Sequence, residues 1–489
     1  MNRARIDALQ KCFPECVVEC VDEHGSFCRK IDVGLLKQTL DSFLSSQGAT
    51  TCSELYEFTW QGKKAAKLNA VSETTKILSP GRKESVFWER TGNIYVEGEN
   101  LDALKLLRSV FDGKIKVVYI DPPYNTGSDL VYGDDFRVSC KKWKETNNKR
   151  LTTVEAWNLS EQGRIHSVWC SMFYSRVIVA RELLADDGVM LVSIDDREMG
   201  NASKILDEVF GESMHLATFV WETKTGAKGI PPTSMCVKNH EYILAYGKSP
   251  SFRFRGERRE EAEGFSNPDG DPRGPWKRQY LQRFGQGFQK RNVVDPETGV
   301  VYSFETPDTE AKMRRLVQDK RIIFPTEPNR YPVRKEFFSE YSNPDKPVLT
   351  SLGLFSTKVG SEELKKLFNG VKVFDYPKPL RLMVELLRKT IGQKGVVLDF
   401  FSGSGTTAHA VMTLNAEDGG DRRFICIQRP EKCEPNSAAF KAGFKTVSEI
   451  GRERLRLAGR KILEERTDVG KTPDVGFRVY KVMEQPEKS

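Results

Sequence analysis

From about residue 92 onward, short apolar runs alternate with longer segments whose apolar residues recur at helical spacing. Runs at 115–120, 189–194, 218–221 and 242–246 predict strands. Segments 172–184 and 201–210 predict helices, the second stopped by Gly211. Such alternation predicts a largely parallel sheet. Between 222 and 372 it fades, and Pro, Gly, Arg and aromatic residues rise, as in Asn267-Pro268-Asp269-Gly270-Asp271-Pro272-Arg273-Gly274-Pro275-Trp276. The pattern then resumes with a helix at 380–390, a strand at 396–400, a glycine turn, a helix from Thr406 and a strand at 424–428. A basic helix from Thr446 and a strand at 476–482 close the chain. The expectation is one α/β sheet built from two distant pieces of sequence, with an insertion between them. Residues 1–85 read as a mainly helical leader, with helical spacing at 31–38 and a turn at 78–82.

Composition narrows the classes. The chain has 489 residues, 38% hydrophobic and 29% charged, which is ordinary for a globular protein with sizeable cores. No apolar run is long enough to cross a bilayer, and the N-terminus carries no secretory pattern, so a cytoplasmic protein is expected. A net charge of +8 suits a polyanionic partner without requiring one. Four of the ten cysteines, Cys12, Cys16, Cys20 and Cys28, cluster around His24, but without the paired spacing of a structural zinc site. Reduced thiols and no metal are expected.

Asp121-Pro122-Pro123-Tyr124 follows the apolar strand directly, and so lies at a strand's carboxyl end, where α/β proteins bind ligands. The residue types suit methylation of an exocyclic amine, whose lone pair is delocalised into the ring. The Asp121 carboxylate and the Pro122 carbonyl can accept the amine hydrogens and favour a more tetrahedral nitrogen. Consecutive prolines fix φ and remove amide donors, and Tyr124 offers a face on which a base rotated out of a duplex can stack.

Asp399-Phe400-Phe401-Ser402-Gly403-Ser404-Gly405-Thr406-Thr407 lies on a strand-to-helix turn, where glycines admit a ligand close to the backbone. The spacing Gly403-x-Gly405-x-x-Ala408 also fits a dinucleotide fingerprint. Asp399 argues against a pyrophosphate and for a ligand with an ammonium or ribose hydroxyls. The tetrapeptide would be superfluous in a dehydrogenase. Cys426 and His409, in apolar or helical surroundings near this turn, are expected to pack.

A tetrapeptide of this kind ahead of an F-x-G-x-G turn resembles the DNA amino-methyltransferases of the permuted beta group. Further segments are similar to the modification (Mod) subunits of type III restriction-modification systems: Asn93-Ile94-Tyr95-Val96-Glu97-Gly98-Glu99-Asn100, Asn125-Thr126-Gly127, Val192-Ser193-Ile194-Asp195-Asp196, Phe374-Asp375-Tyr376-Pro377-Lys378-Pro379 and Asp474-Val475-Gly476-Phe477-Arg478-Val479. The resemblance implies a permuted Rossmann-like sheet with helices on both faces, binding S-adenosylmethionine, plus an inserted α+β target-recognition domain. It divides the chain into a leader (1–85), a catalytic part (86–221), the insertion (222–372, its first strands to about 247 still in the catalytic sheet), a cofactor part (373–445) and a C-terminal helix and strand (446–489). It also assigns roles. Asp121, Pro122, Pro123 and Tyr124 are catalytic. Asp399 through Thr407 form the main cofactor loop. Lys378 and Pro379 flank the cofactor's methionine end. Glu99, with Asn100, stands where the family has the acid near the adenine, and Gln428 or Glu431 meets the ribose.

The implied reaction is methylation of adenine N6 in a specific duplex sequence, with cytosine N4 as the alternative, since aspartate at the first tetrapeptide position leans towards adenine. A glutamine-amide methyltransferase is disfavoured by that aspartate and by the long insertion. DNA contacts are expected from Asn125, Arg273, Trp276, Lys277, Arg278 and Arg283. The basic segment Gly451-Arg452-Glu453-Arg454-Leu455-Arg456 is expected to be a solvated face. Double-stranded DNA, a nuclease-helicase (Res) subunit and a second copy are the implied partners. The type III resemblance also admits a chain that acts chiefly as the DNA-recognition subunit of a restriction complex; the Mod subunits usually continue beyond the segment at 474–479, whereas this chain stops at Ser489, which leaves a solitary methyltransferase open.

Overall fold

The computed structural model describes residues 13–21, 27–32, 34–36, 38–39, 57–125, 161–226, 235–257, 264–327, 330–340, 345–465 and 472–485. The chain divides into two compact units, Met1–Thr59 and Trp60–Ser489. In the first, β1 (Val17–Val21) and β2 (Phe27–Ile31) form an antiparallel hairpin that pairs Val17 with Ile31. The leader expected to be mainly helical thus carries a hairpin at 17–31 as well as a helix at Lys63–Val71. The valines here favour a pleated strand over a helix, and Ile31, expected to open a helix, ends β2; among the described residues of this unit α-helix is found at 34–36 and 38–39. Cys12 and His24 lie outside the described residues, as do the side chains of Cys20 and Cys28. Cys16 is buried with its Sγ near the Thr39 hydroxyl.

The second unit is built on a ten-stranded sheet. Its strands are β3 (Lys76–Pro80), β4 (Ile94–Glu97), β5 (Ile115–Ile120), β6 (Leu184–Ile194), β7 (His215–Glu222), β8 (His240–Gly247), β14 (Ser351–Leu354), β15 (Lys394–Asp399), β16 (Asp421–Gln428) and β17 (Arg478–Glu484). The order is β14-β7-β8-β6-β5-β15-β16-β4-β17-β3. From β6 through β17 every neighbour is parallel, while β8 runs antiparallel to both β6 and β7, and β3 antiparallel to β17. The expected turn at 78–82 is instead the end of β3. Pro80 is tolerated because β3 is an edge strand. The sheet thus recruits 76–80 from the expected leader and Ser351–Leu354 from the expected insertion.

Strands β15 and β16, from the second sequence piece, lie between β5 and β4 of the first. This is the permuted Rossmann-like arrangement. Val117 and Tyr119 of β5 share one core with α7 (Leu380–Thr390) and α8 (Thr406–Asp418). Val118 and Ile120 are equally buried and project to the opposite face by the two-residue repeat of a strand. Helices therefore cover both faces. One group comprises α1 (Lys63–Val71), α2 (Asn100–Phe111), α3 (Glu161–Leu183) and α4 (Met199–Phe210). The other joins α7, α8 and α10 (Val447–Glu464), with α6 (Thr357–Leu367) against α10. α5 (Glu310–Gln318) lies in the insertion and α9 (Ala438–Lys441) is a single turn.

The insertion proper has its own small core of Leu281, Val293, Phe304, Met313, Leu316 and Ile322. Around it stand a three-stranded antiparallel sheet, β12 (Ile322–Ile323), β13 (Val333–Phe337) and β9 (Trp276–Tyr280), and the hairpin β10 (Gln289–Val294) with β11 (Val301–Thr306). Among the described residues, no helix is long and apolar enough to cross a membrane.

Candidate active site

Strands β5 and β15 are hydrogen-bonded parallel neighbours, with Val117 opposite Val397 and Val118 opposite Leu398. The tetrapeptide leaves β5 and the glycine turn leaves β15 side by side, roughly 5 Å apart at the strand spacing. This is the crevice at the carboxyl ends of a parallel sheet.

Lys378 sits at the centre of the tetrapeptide's contacts. Its Nζ lies 2.9 Å from Asp121 Oδ1 and 3.4 Å from Glu241 Oε2. It donates to Tyr124 Oη at 2.8 Å, and the Tyr124 hydroxyl donates to Glu241 Oε2 at 3.1 Å. The ammonium also stands over the rings of Tyr124 and Trp221, 4.9 Å and 5.9 Å from their centroids. Burial opposes the lysine's charge, but Asp121 and Glu241 outweigh it and raise its pKa, so it stays protonated. Burial, then Asp121 and Glu241, hold the Tyr124 phenol well above its ordinary pKa, hence neutral. Lys378, expected at the cofactor's methionine end, is thus tied to the tetrapeptide.

The tetrapeptide is clamped from α3 and α4. Trp169 Nε1 donates to the Pro123 carbonyl at 2.6 Å. Asn125, expected at DNA, is instead buried with φ +58°, and its amide donates to Glu198. Glu198 is itself fully buried and also receives His166 Nδ1 and Asn201 Nδ2, each at 2.6 Å. The Asn125 amide nitrogen thus points inward to Glu198 and holds the end of the turn, while its Oδ1 is buried without a hydrogen-bond partner among the described residues.

At the second turn Gly403 and Gly405 adopt φ +50° and +82°, left-handed conformations that favour glycine. A Cβ on Gly403 would meet the Phe374 ring at 3.3 Å. The Asp399 carboxylate turns back on its own loop, accepting from the Phe401 amide at 3.0 Å and from the Thr407 hydroxyl. Burial pushes its pKa up to about 7. Phe400 and Phe401 pack ring against ring at 5.2 Å, and Ser402 is buried.

Several expected cofactor contacts are engaged internally. Both oxygens of Glu99 are used, one capping α2 through the amides of Leu101 and Asp102, the other pairing with Arg176 at 2.6 Å. Asn100 accepts from Arg176 at 2.5 Å and donates to the Phe400 carbonyl at 3.1 Å, which joins α2 to the glycine turn. Gln428 Oε1 accepts from the Gly403 amide at 2.7 Å and its Nε2 donates to the Arg429 carbonyl. Glu431 makes no side-chain hydrogen bond among the described residues; burial raises its pKa against the opposing charge of Arg429. Pro379 caps α7.

The solvated-face reading of 451–456 is wrong at its two central arginines. Arg452 is buried against Glu97 and Ser448, and Arg454 is buried beneath the glycine turn. His409 is half-buried and Cys426 is buried; burial and Arg454 lower the histidine's pKa, and burial raises the thiol's. In the insertion, Trp276 belongs to the interior at 4% exposure, with its indole donating to Asp269 at 2.8 Å, so it cannot face DNA. Arg273 is held by Asp271 and the Asp319 carbonyl, and Lys277 lies 3.4 Å from Glu336. Arg278 and Arg283 are exposed, as are Tyr280 and Phe284. No group of three or more potential metal ligands converges among the described residues.

A family model described as DNA methylase matches residues 115–438, which span both turns. The chain belongs to this DNA methylase family. Three relatives are similar to nearly all of this methylase. The type III restriction-modification enzyme StyLTI Mod subunit of Salmonella typhimurium is 32% identical over 98% of this chain and 74% of its own. The EcoP15I Mod subunit of Escherichia coli is 28% identical over 99% and 78%, and the EcoPI Mod subunit of Escherichia phage P1 is 29% identical over 98% and 77%. The methylase therefore falls among the type III modification subunits. Of solved structures, the M1.HpyAVI complex with S-adenosylmethionine aligns at TM-score 0.32 and 12% identity, over 74% of this chain and 98% of that one. The cytosine-N4-specific PvuII DNA methyltransferase aligns at 0.35 and 15%, over 75% and 93%.

Glu241, Trp169, Glu198, His166 and Arg454 are site residues that motif reading missed. Glu241 carried one usable signal. It opens a strand antiparallel to β6, so its amino end, not its carboxyl end, lies at the crevice.

Proposed function

We propose that this methylase transfers the methyl group of S-adenosylmethionine to N6 of an adenine rotated out of double-stranded DNA. The observation that carries the reading is the neighbouring of β5 and β15, which brings Asp121-Pro122-Pro123-Tyr124 beside Gly403-Ser404-Gly405-Thr406. When bound, S-adenosylmethionine supplies an electrophilic methyl on a sulfonium. Gly403 and Gly405 keep the turn open to it, and Glu431, rather than the engaged Gln428, is the acid available for ribose hydroxyls.

Asp121 and the Pro122 carbonyl accept the amine hydrogens and orient the nitrogen lone pair. Tyr124, neutral and fixed by Lys378 and Glu241, presents its ring to the base. Transfer is direct, with no covalent intermediate on the enzyme and no metal. Arg278 and Arg283, with Tyr280 and Phe284, form the DNA face of the insertion. In this reading the protein acts in the cytoplasm as a homodimer with a Res-type restriction subunit.

The test is expression in a methylation-free host, followed by mapping of modified bases across the genome. N6-methyladenine at one short motif, lost in Asp121→Ala, is expected. N4-methylcytosine would overturn the base assignment, and full activity of purified Asp121→Ala would overturn the catalytic one.

A further inference from the structure

Arg454 is a buried cation that the chemistry above does not use. It is 1% exposed, on α10 directly beneath the cofactor turn. One guanidinium nitrogen donates to Ser404 Oγ at 2.9 Å and to Thr406 Oγ1 at 2.7 Å, while Nε reaches His409 Nδ1 at 3.4 Å. Among the described residues no carboxylate pairs with it. The carboxylate whose field it feels, Glu363, accepts a hydrogen bond from the Leu380 amide instead. Burial lowers the arginine's pKa to about 10, still high enough to keep the charge at neutral pH. An isolated buried ion costs several kcal/mol unless a counter-charge is near.

The two hydroxyls point to that counter-charge. Each is an acceptor towards Arg454, so each keeps one O–H to donate, and neither has an acceptor among the described residues. Both sit where α8 begins, at the partially positive end of a thirteen-residue helix. A guanidinium, two hydroxyl donors and a helix terminus make a site for one carboxylate.

We propose that Arg454 is a positioning residue that supplies the counter-charge for the carboxylate of the cofactor's amino-acid end, acting through the hydroxyls of Ser404 and Thr406. The inference rests on the reading of this turn as the S-adenosylmethionine site. The matched probe is decarboxylated S-adenosylmethionine, which keeps the adenosyl group, sulfonium and amine but lacks the carboxylate.

Calorimetry on the full chain should show the wild type binding S-adenosylmethionine at least about tenfold more tightly than the decarboxylated form. Arg454→Met should weaken the former by roughly tenfold and the latter by less than about twofold, and Arg454→Lys should recover part of the difference. Equal weakening of both ligands, or no preference in the wild type, overturns the proposal. If the wild type binds neither ligand, the cofactor reading falls first and this one with it. Should Arg454→Met fail to fold, Ser404→Ala with Thr406→Val keeps the arginine and removes the relay. The same selective loss is expected there, and an unselective loss overturns the proposal.

Discussion

Lys378 Nζ and Asp121 Oδ1 lie 2.9 Å apart, a pairing between residues 257 positions apart in sequence that holds the catalytic carboxylate in place. Glu241 shares the same ammonium. Lys378 also donates to Tyr124 Oη, so one side chain fixes both the carboxylate and the ring of the tetrapeptide. Lys378→Met removes these contacts and leaves Asp121 and Glu241 without their shared cation. The variant should lower kcat at neutral pH by about tenfold or more. A kcat within about twofold of the wild type would show that Lys378 does not position Asp121.

Glu198 collects Asn125, His166 and Asn201 on one buried carboxylate. Asn125 is held in a left-handed conformation immediately after Tyr124, so the bond to Glu198 fixes the exit of the catalytic turn. Glu198→Ala should leave three donors unmatched and cost about 3 kcal/mol or more. Asn125→Gly is the gentler probe, because glycine accepts this φ without strain. It should keep the thermal midpoint within a few degrees while lowering kcat by about tenfold, with KM for S-adenosylmethionine unchanged. An equal fall in kcat and rise in KM would point to general loosening instead.

The central strands and both turns were legible in the sequence because each follows a continuous apolar run buried on two faces, as β5 is. The contacts at the site were less so. Glu241 lies at the amino end of a strand, and only the antiparallel direction of β8, set by a hairpin-like return from β7, brings it to the crevice. Arg452 and Arg454 sit in a segment whose composition reads as solvated, yet their partners, Glu97, Ser404 and Thr406, lie far away in sequence. Trp276 misled in the opposite direction. Arginines and aromatics in alternation suggest a nucleic-acid face, but the indole is buried between Asp269 and Lys335. The hairpin at 17–31 was missed because helical spacing at 31–38 dominated the reading of the leader.

Asp399 gives stability a pH dependence whose sign follows from its raised pKa. In the unfolded chain it titrates near 3.8, and in the fold burial moves this to about 7. Below the unfolded value both states are protonated and the favourable contribution is fully present. As pH rises through the folded value the carboxyl must ionise while buried, and up to about 4 kcal/mol is lost. Asp399→Asn has no such titration, though it forfeits one of the two loop hydrogen bonds. The wild-type melting temperature relative to Asp399→Asn should therefore be highest near pH 4 and fall towards pH 8. A difference that stays flat or rises across that window would exclude an elevated Asp399 pKa.

The insertion offers a direct separation of core from contact. Trp276 is interior, and its loss removes a buried ring and leaves Asp269 without its indole donor. Trp276→Ala should cost about 3–5 kcal/mol of that domain's stability. Arg278 and Arg283 are exposed and enter no ion pair among the described residues, so substituting them should leave the melting temperature within about a degree. If they neutralise phosphates, each alanine substitution should lower DNA affinity for all sequences and reduce the slope of log K against log salt by about one. If Arg283 reads a guanine edge instead, the slope should hold while discrimination at one base position falls by about 1–3 kcal/mol. Fluorescence anisotropy with specific and scrambled duplexes at several salt concentrations distinguishes the two. Unchanged affinity in both arginine variants would move the DNA face to another part of the insertion.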